Sequence, residues 1–221
     1  MQFQVNKASV ANKAAVTEAD MPLINAQALV DLAPEDVFVF RCEACNDQVD
    51  RDGERFATAA LPALAKMFVG KPVIYDHRWS ASNQQARIYA SAVEQRDGGV
   101  TCLMVNCYML RNESTKDTIA AIEGGILREV SVGCCMGRVV CSICGKDAYT
   151  CGHHKRATYD GELCVYELCD PVDAYELSFV AVPSQPRAGT TKNHDTTGWT
   201  PAEMAAAKAG LEIEHERWRF L

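Results

Sequence analysis

The apolar positions along the chain change period several times, and each change marks an element. VFVFRCEA (37–44) is rich in β-branched and aromatic residues and predicts a strand. ATAALPALAKMF (57–68) predicts a helix, with Pro62 near its start and Gly70 and Pro72 ending it. PVIYDH (72–77) predicts a short strand that ends in Asp76 and His77. ARIYASAVEQ (86–95) alternates apolar and polar residues, and Gly98-Gly99 turns it into a second strand over 100–110, a hairpin. NESTKDTIAAIEGG (112–125) predicts a helix with Asn112 as N-cap and Gly124-Gly125 as stop. LREVSVGCC (127–135), GRVV (137–140), LCVYELCD (163–170) and AYELSFVAVP (174–183) predict further strands.

Residues 1–35 are polar and Ala-rich with weak periodicity and read as a loosely ordered lead-in. PSQPRAG (183–189) breaks the pattern, and 190–221 read as a linker and tail. Thr200, Pro201 and Glu203 there form a capping box that starts a short terminal helix. The expected body is a mostly β domain with flanking helices (α+β), spanning 36–189.

Composition narrows the function classes. Of 221 residues, 48% are apolar and 23% charged, the mix of a globular domain. A net charge of −7 argues against a dedicated nucleic-acid binder, which needs a basic face. No apolar run is long enough to predict a membrane span, and the first residues lack the apolar segment of a secretory signal. Eleven cysteines, an odd number without such a signal, point to a reducing cytosol rather than to disulfides. They divide into metal ligands and small buried apolar residues; Cys102, Cys107, Cys134 and Cys135 are read as core.

CSICGKDAYTCGHH (141–154) is the metal candidate. Cys141-x2-Cys144 places two thiolates on one ion, and Gly145 suits the turn that follows. Cys151 with His153 or His154 completes the set, and Cys164 is a substitute ligand. Three thiolates and one imidazole suit a closed tetrahedral Zn²⁺ site of structural rather than catalytic kind. Cys42-x2-Cys45 has no second pair near it and is read as packing.

Three other residues carry potential chemistry. His77 ends a strand; Ser131 shares a strand face with Glu129 and Gly133; Glu176 shares one with Ser178. A serine needs a histidine to take its proton and a third group to hold the imidazole. His77, Ser131 and Glu176 are residue types that meet this need, though spacing alone does not bring them together.

Several segments carry a resemblance. VDRDGERF (49–56), FVGKPVIYDH (68–77), LREVSVGC (127–134) and YELSFVAVPSQPRAG (175–189) resemble the prohead, or capsid maturation, serine proteases of tailed bacteriophages, over about 46–189. A subset of that family resembles this chain also in a C-x2-C-G…C-x-H…Y-x-G-x-x-C pattern, here Cys141, Cys144, Gly145, Cys151, His153, Tyr159, Gly161 and Cys164. The resemblance implies a β-barrel of the herpesvirus assembly protease type with a zinc-knuckle insertion over 141–164. It implies Ser131 as nucleophile, His77 as general base and Glu176 as third member, with Glu129 as rival; Asp76, next to His77, is disfavoured. It favours His153 over His154 as fourth ligand. It implies a serine endopeptidase inside the assembling prohead in the host cytoplasm. Its partners would be the major capsid protein, the scaffold protein and further copies of itself, without nucleic acid or membrane. The alternative is a non-enzymatic, zinc-stapled assembly module on the same fold.

Overall fold

The computed structural model describes residues 16–96 and 98–191. The terminal helix expected from Thr200 lies outside them. Within the expected lead-in, α1 (Asp20–Asn25) forms, and its Leu23 and Ile24 are buried. The weak periodicity concealed a tertiary anchor: the buried Tyr89 hydroxyl donates to Asp20 Oδ1 at 2.9 Å.

From there the chain runs through β1 (Val37–Asn46), β2 (Glu54–Phe56), α2 (Leu61–Phe68), β3 (Pro72–Tyr75), β4 (Ala86–Arg96) and β5 (Val100–Leu110). It continues with α3 (Lys116–Glu123), β6 (Val130–Cys141), β7 (Thr158–Tyr159), β8 (Glu162–Leu163), β9 (Tyr166–Phe179) and β10 (Gly189–Thr190). The helix expected over 112–125 is thus shorter. Asn112 accepts from the Ser114 and Thr115 N–H groups and shapes the turn before the helix, whose N-cap is Thr115.

Eight strands form one sheet in the order β10-β1-β5-β4-β3-β9-β2, with β6 on the other side of β9. The β4–β5 hairpin forms as expected, because Gly98 and Gly99 both take positive φ at its turn. Two expectations of separate strands are corrected. β6 and β9 each run unbroken where the sequence suggested a pair of strands. β-bulges after Gly133 and Cys135 absorb the extra residues around Pro171, so the breakers bend the ladder without ending it.

The expected barrel does not close. An isolated bridge, Glu129 to Gly189, joins the start of β6 to β10 at a single point. Gly189 is required there, since a Cβ would sit 2.8 Å from the Arg128 carbonyl oxygen. α2 lays Leu61, Leu64, Ala65 and Phe68 on the core, and Phe40 stacks on Phe179 with centroids 5.8 Å apart. Burying a side chain like Phe68 contributes roughly 2–3 kcal/mol. No helix of the described residues is long and apolar enough to cross a membrane.

Candidate active site and metal centre

β9 lies between β3 and β6, and this placement assembles the first site. Ile74 of β3 is level with Ser178, and Ser131 of β6 is level with Ser178 from the other side. Gly133 is level with Glu176. Directly opposed residues share a sheet face, so Ser131, Gly133, Glu176 and Ser178 form one small patch.

His77 reaches that patch by a turn, not by a strand as the sequence suggested. Asp76 and His77 have φ of 53° and 52°. Such left-handed geometry is uncommon outside glycine, although Asp and His adopt it more readily than most. Several hydrogen bonds hold it. Arg78 N–H donates to the Tyr75 carbonyl at 3.0 Å and Asp76 N–H to the Phe179 carbonyl at 3.0 Å. The Asn83 amide donates to the carbonyls of Tyr75 and Arg78. His77 N–H donates to Ser178 Oγ at 2.9 Å. Strain of this kind persists where surrounding contacts over-determine the backbone.

The turn folds the imidazole onto β9, where His77 Nδ1 lies 2.7 Å from Glu176 Oε1. The carboxylate is buried, 2% exposed, while the histidine side chain is 42% exposed. Glu176 Oε2 is buried without a hydrogen-bond partner among the described residues. His77 is therefore held from one nitrogen, with Nε2 left for a proton-transfer partner. Ser131 lies half-buried on the same patch but makes no hydrogen bond to His77. Glu129 instead lies 3.9 Å from Arg128, and Asp76 is exposed.

Gly133 makes room for this arrangement, a role the sequence did not disclose. A Cβ there would run into Glu176 Oε1 and come within 3.0 Å of its carboxyl carbon. Gly133→Ala is expected to push Glu176 off His77. A stability loss of about 1–3 kcal/mol in thermal unfolding, with the His77 ring freed from the carboxylate by NMR, would check this.

The second site lies at the far end of β6. Ligand atoms of Cys141, Cys144, Cys151 and His153 all lie within 4.8 Å of one another, a set able to hold a metal ion and compatible with zinc. Cys141 Sγ is 3.7 Å from His153 Nδ1, close to the edge of about 3.6 Å that one Zn–S and one Zn–N bond make at the tetrahedral angle. His154 is exposed and points its backbone N–H at the Tyr159 hydroxyl. Cys164 Sγ is also 3.7 Å from Cys141 Sγ, yet falls outside the mutually close four.

The turn is built as a knuckle. Gly145 has φ 69° and its N–H donates to the Cys141 carbonyl at 2.8 Å. Burial pushes the Cys141 thiol up, but N–H groups of Cys144 and Ile143 and the Cys164 and Cys151 thiols bring it down to about 6. Burial and the neighbouring Cys141 raise Cys164 to about 11. Cys141 is thus the sulfur best prepared to be a thiolate.

Ten residues of strand separate Ser131 from Cys141, roughly 30 Å. An ion at the knuckle therefore lies far from Ser131 and from the His77–Glu176 pair. Arg138 is seven residues along β6 from Ser131 and pairs with Asp170 at 2.7 Å, so its charge is engaged away from that serine. Arg187 is exposed on the exit loop, whose Ala188 carbonyl accepts from Val130 N–H. Of the cysteines read as core, Cys102 and Cys107 are buried, while Cys134 and Cys135 are only half-buried.

No protein-family model matches the chain, and comparison with curated proteins and with solved structures found no match.

Proposed function

We propose that the chain is a serine endopeptidase with Ser131 as nucleophile, His77 as general base and Glu176 as the group that orients it. The observation that carries this reading is the 2.7 Å bond between His77 Nδ1 and the buried Glu176, on the sheet face that also presents Ser131. With Nδ1–H held by the carboxylate, Nε2 is the proton acceptor. Ser131 Oγ attacks the scissile carbonyl and passes its proton to Nε2; His77 then protonates the leaving amine. Water repeats the sequence on the acyl-enzyme. Glu176 stabilises the imidazolium formed in both halves.

The sequence resemblance extends this to prohead maturation, with scaffold protein and capsid protein as substrates. The cysteine and histidine cluster holds a structural Zn²⁺ through Cys141, Cys144, Cys151 and His153. Coexpression with the capsid and scaffold proteins tests the reading. Wild type should process at least one of them, and Ser131→Ala should leave both intact while keeping its circular dichroism. Processing that survives the substitution would refute it.

The absence of a hydrogen bond from Ser131 to His77 favours the second reading, a non-enzymatic zinc-stapled assembly module. Catalytic hydrogen bonds are often long before substrate binds, so reach rather than contact is the criterion. That reading gains if neither wild type nor Ser131→Ala processes any substrate while both bind scaffold protein.

A further inference from the structure

The two segments that supply the His77–Glu176 pair also supply a second pair. Trp79 follows His77 by two residues, and Tyr175 immediately precedes Glu176. Their rings meet with centroids 5.2 Å apart at 58°. Trp79 is 70% exposed and Tyr175 37%, so the pair presents ring surface to solvent beside a polar site.

Local geometry places Tyr175 there. β9 carries one more residue than β6 between the Gly133–Glu176 and Cys134–Ala174 pairs, and that residue is Tyr175. A bulge bends the strand and re-aims a side chain, and bulges concentrate next to active sites. Without it, strict alternation would turn position 175 away from the face of Glu176. Trp79 in turn is carried by the chain that leaves the strained turn at His77. The aromatic pair is therefore placed by the bulge at Tyr175 and by the same turn that delivers His77 to Glu176.

Exposed rings that contribute little to the core, contiguous with a catalytic dyad, suit an apolar side chain of a ligand. Resting on the endopeptidase reading, we propose that Trp79 and Tyr175 form the subsite that grips an aliphatic or aromatic side chain of the substrate polypeptide beside the bond attacked by Ser131. The side chain lies against the exposed surface of the joined rings, and the dyad limits how far along the substrate that side chain can lie from the scissile bond. The subsite thus selects where the polypeptide is cut.

The test uses the full chain and a mixed peptide library with cleavage sites read by mass spectrometry. Matched peptides carrying Leu, Phe or Gly at the preferred position then give kcat/KM. Wild type should prefer the apolar peptides by about 100-fold at one position near the cut, the scale of hydrophobic-pocket discrimination. Trp79→Ala and Tyr175→Ala should each reduce that ratio below about 10-fold, and Tyr175→Phe should retain it. Trp79 is largely exposed, so its removal leaves the core packing in place.

A preference that survives both alanine variants overturns the subsite and leaves the protease reading standing. So does an unchanged preference accompanied by a change from oligomer to monomer, which would reassign the rings to a contact between copies. If wild type cleaves no peptide of the library and no coexpressed protein, the protease reading falls and the subsite with it.

Discussion

Glu176→Gln is expected to lower kcat by about 10⁴ while leaving the protein as stable as wild type or more so. The two effects come from the same atoms. Glu176 accepts through Oε1 and so fixes the imidazole tautomer with its proton on Nδ1. A glutamine can present its NH₂ group instead, which places the proton on Nε2, where Ser131 needs an acceptor. The geometry survives and the base is lost. For stability the sign reverses. The carboxylate is buried, and Oε2 lacks a partner among the described residues. Burying an incompletely paired charge costs more than burying an amide of the same shape. Steady-state kinetics beside thermal unfolding check both halves. A variant with wild-type kcat, or one that loses activity only because it unfolds, would sink the assignment.

Metal removal should have the second-largest effect, and it should be local. Purified protein is expected to carry about one zinc per chain, as one four-ligand site requires. The apolar cluster beneath the knuckle holds only Val139, Cys141, Ala148 and Cys164 as buried members, too few to fold 141–164 unaided. Zinc binding to such sites contributes roughly 10–16 kcal/mol of apparent free energy at pH 7, so chelation should melt this segment. Cys144→Ser should do the same. Limited proteolysis should then cut within 141–164, while hydrogen exchange of β4 and β5 stays slow. The knuckle also contacts β2 and the residue before it: Lys155 pairs with Glu54, and the Lys155 and Arg156 side chains lie against Gly53. Those contacts should be lost with it. A metal-free chain that resists proteolysis within 141–164 as well as the metal-loaded one would overturn the structural site.

How much of this was legible in the sequence depends on how local each signal is. The β4–β5 hairpin declared itself through alternation and Gly98-Gly99, and α2 through its apolar face and Pro62. The knuckle was legible because its ligands crowd into one short stretch. What the sequence hid is tertiary or depends on backbone detail. Pro171 and the polar residues around it look like a break, yet β9 passes through them because β6 pairs along its full length. His77 looked like a strand end, whereas positive φ at Asp76 and His77 delivers its ring to Glu176. Gly133 read as one more small residue until the Glu176 carboxylate was seen above it. Tyr175 was hidden for the same reason as the bulge that carries it: an extra residue on one strand is defined only by its partner. The choice between Glu176 and Glu129 as partner of His77 was likewise open, because the turn that carries the ring to Glu176 is a matter of backbone geometry.

The stitch between β10 and the start of β6 bears on any cut the protein makes in itself. Thr190 N–H donates to the Arg128 carbonyl at 2.7 Å, Val130 N–H to the Ala188 carbonyl at 3.3 Å, and Thr191 N–H to the Arg41 carbonyl at 3.0 Å. Residues 188–191 are thus the seam that ties the Ser131 strand to β1. Trimming the chain beyond Thr191 leaves that seam whole. On the endopeptidase reading proposed above, severing the chain before Ala188 would loosen the start of the Ser131 strand from β10, so self-cleavage there would lower the activity.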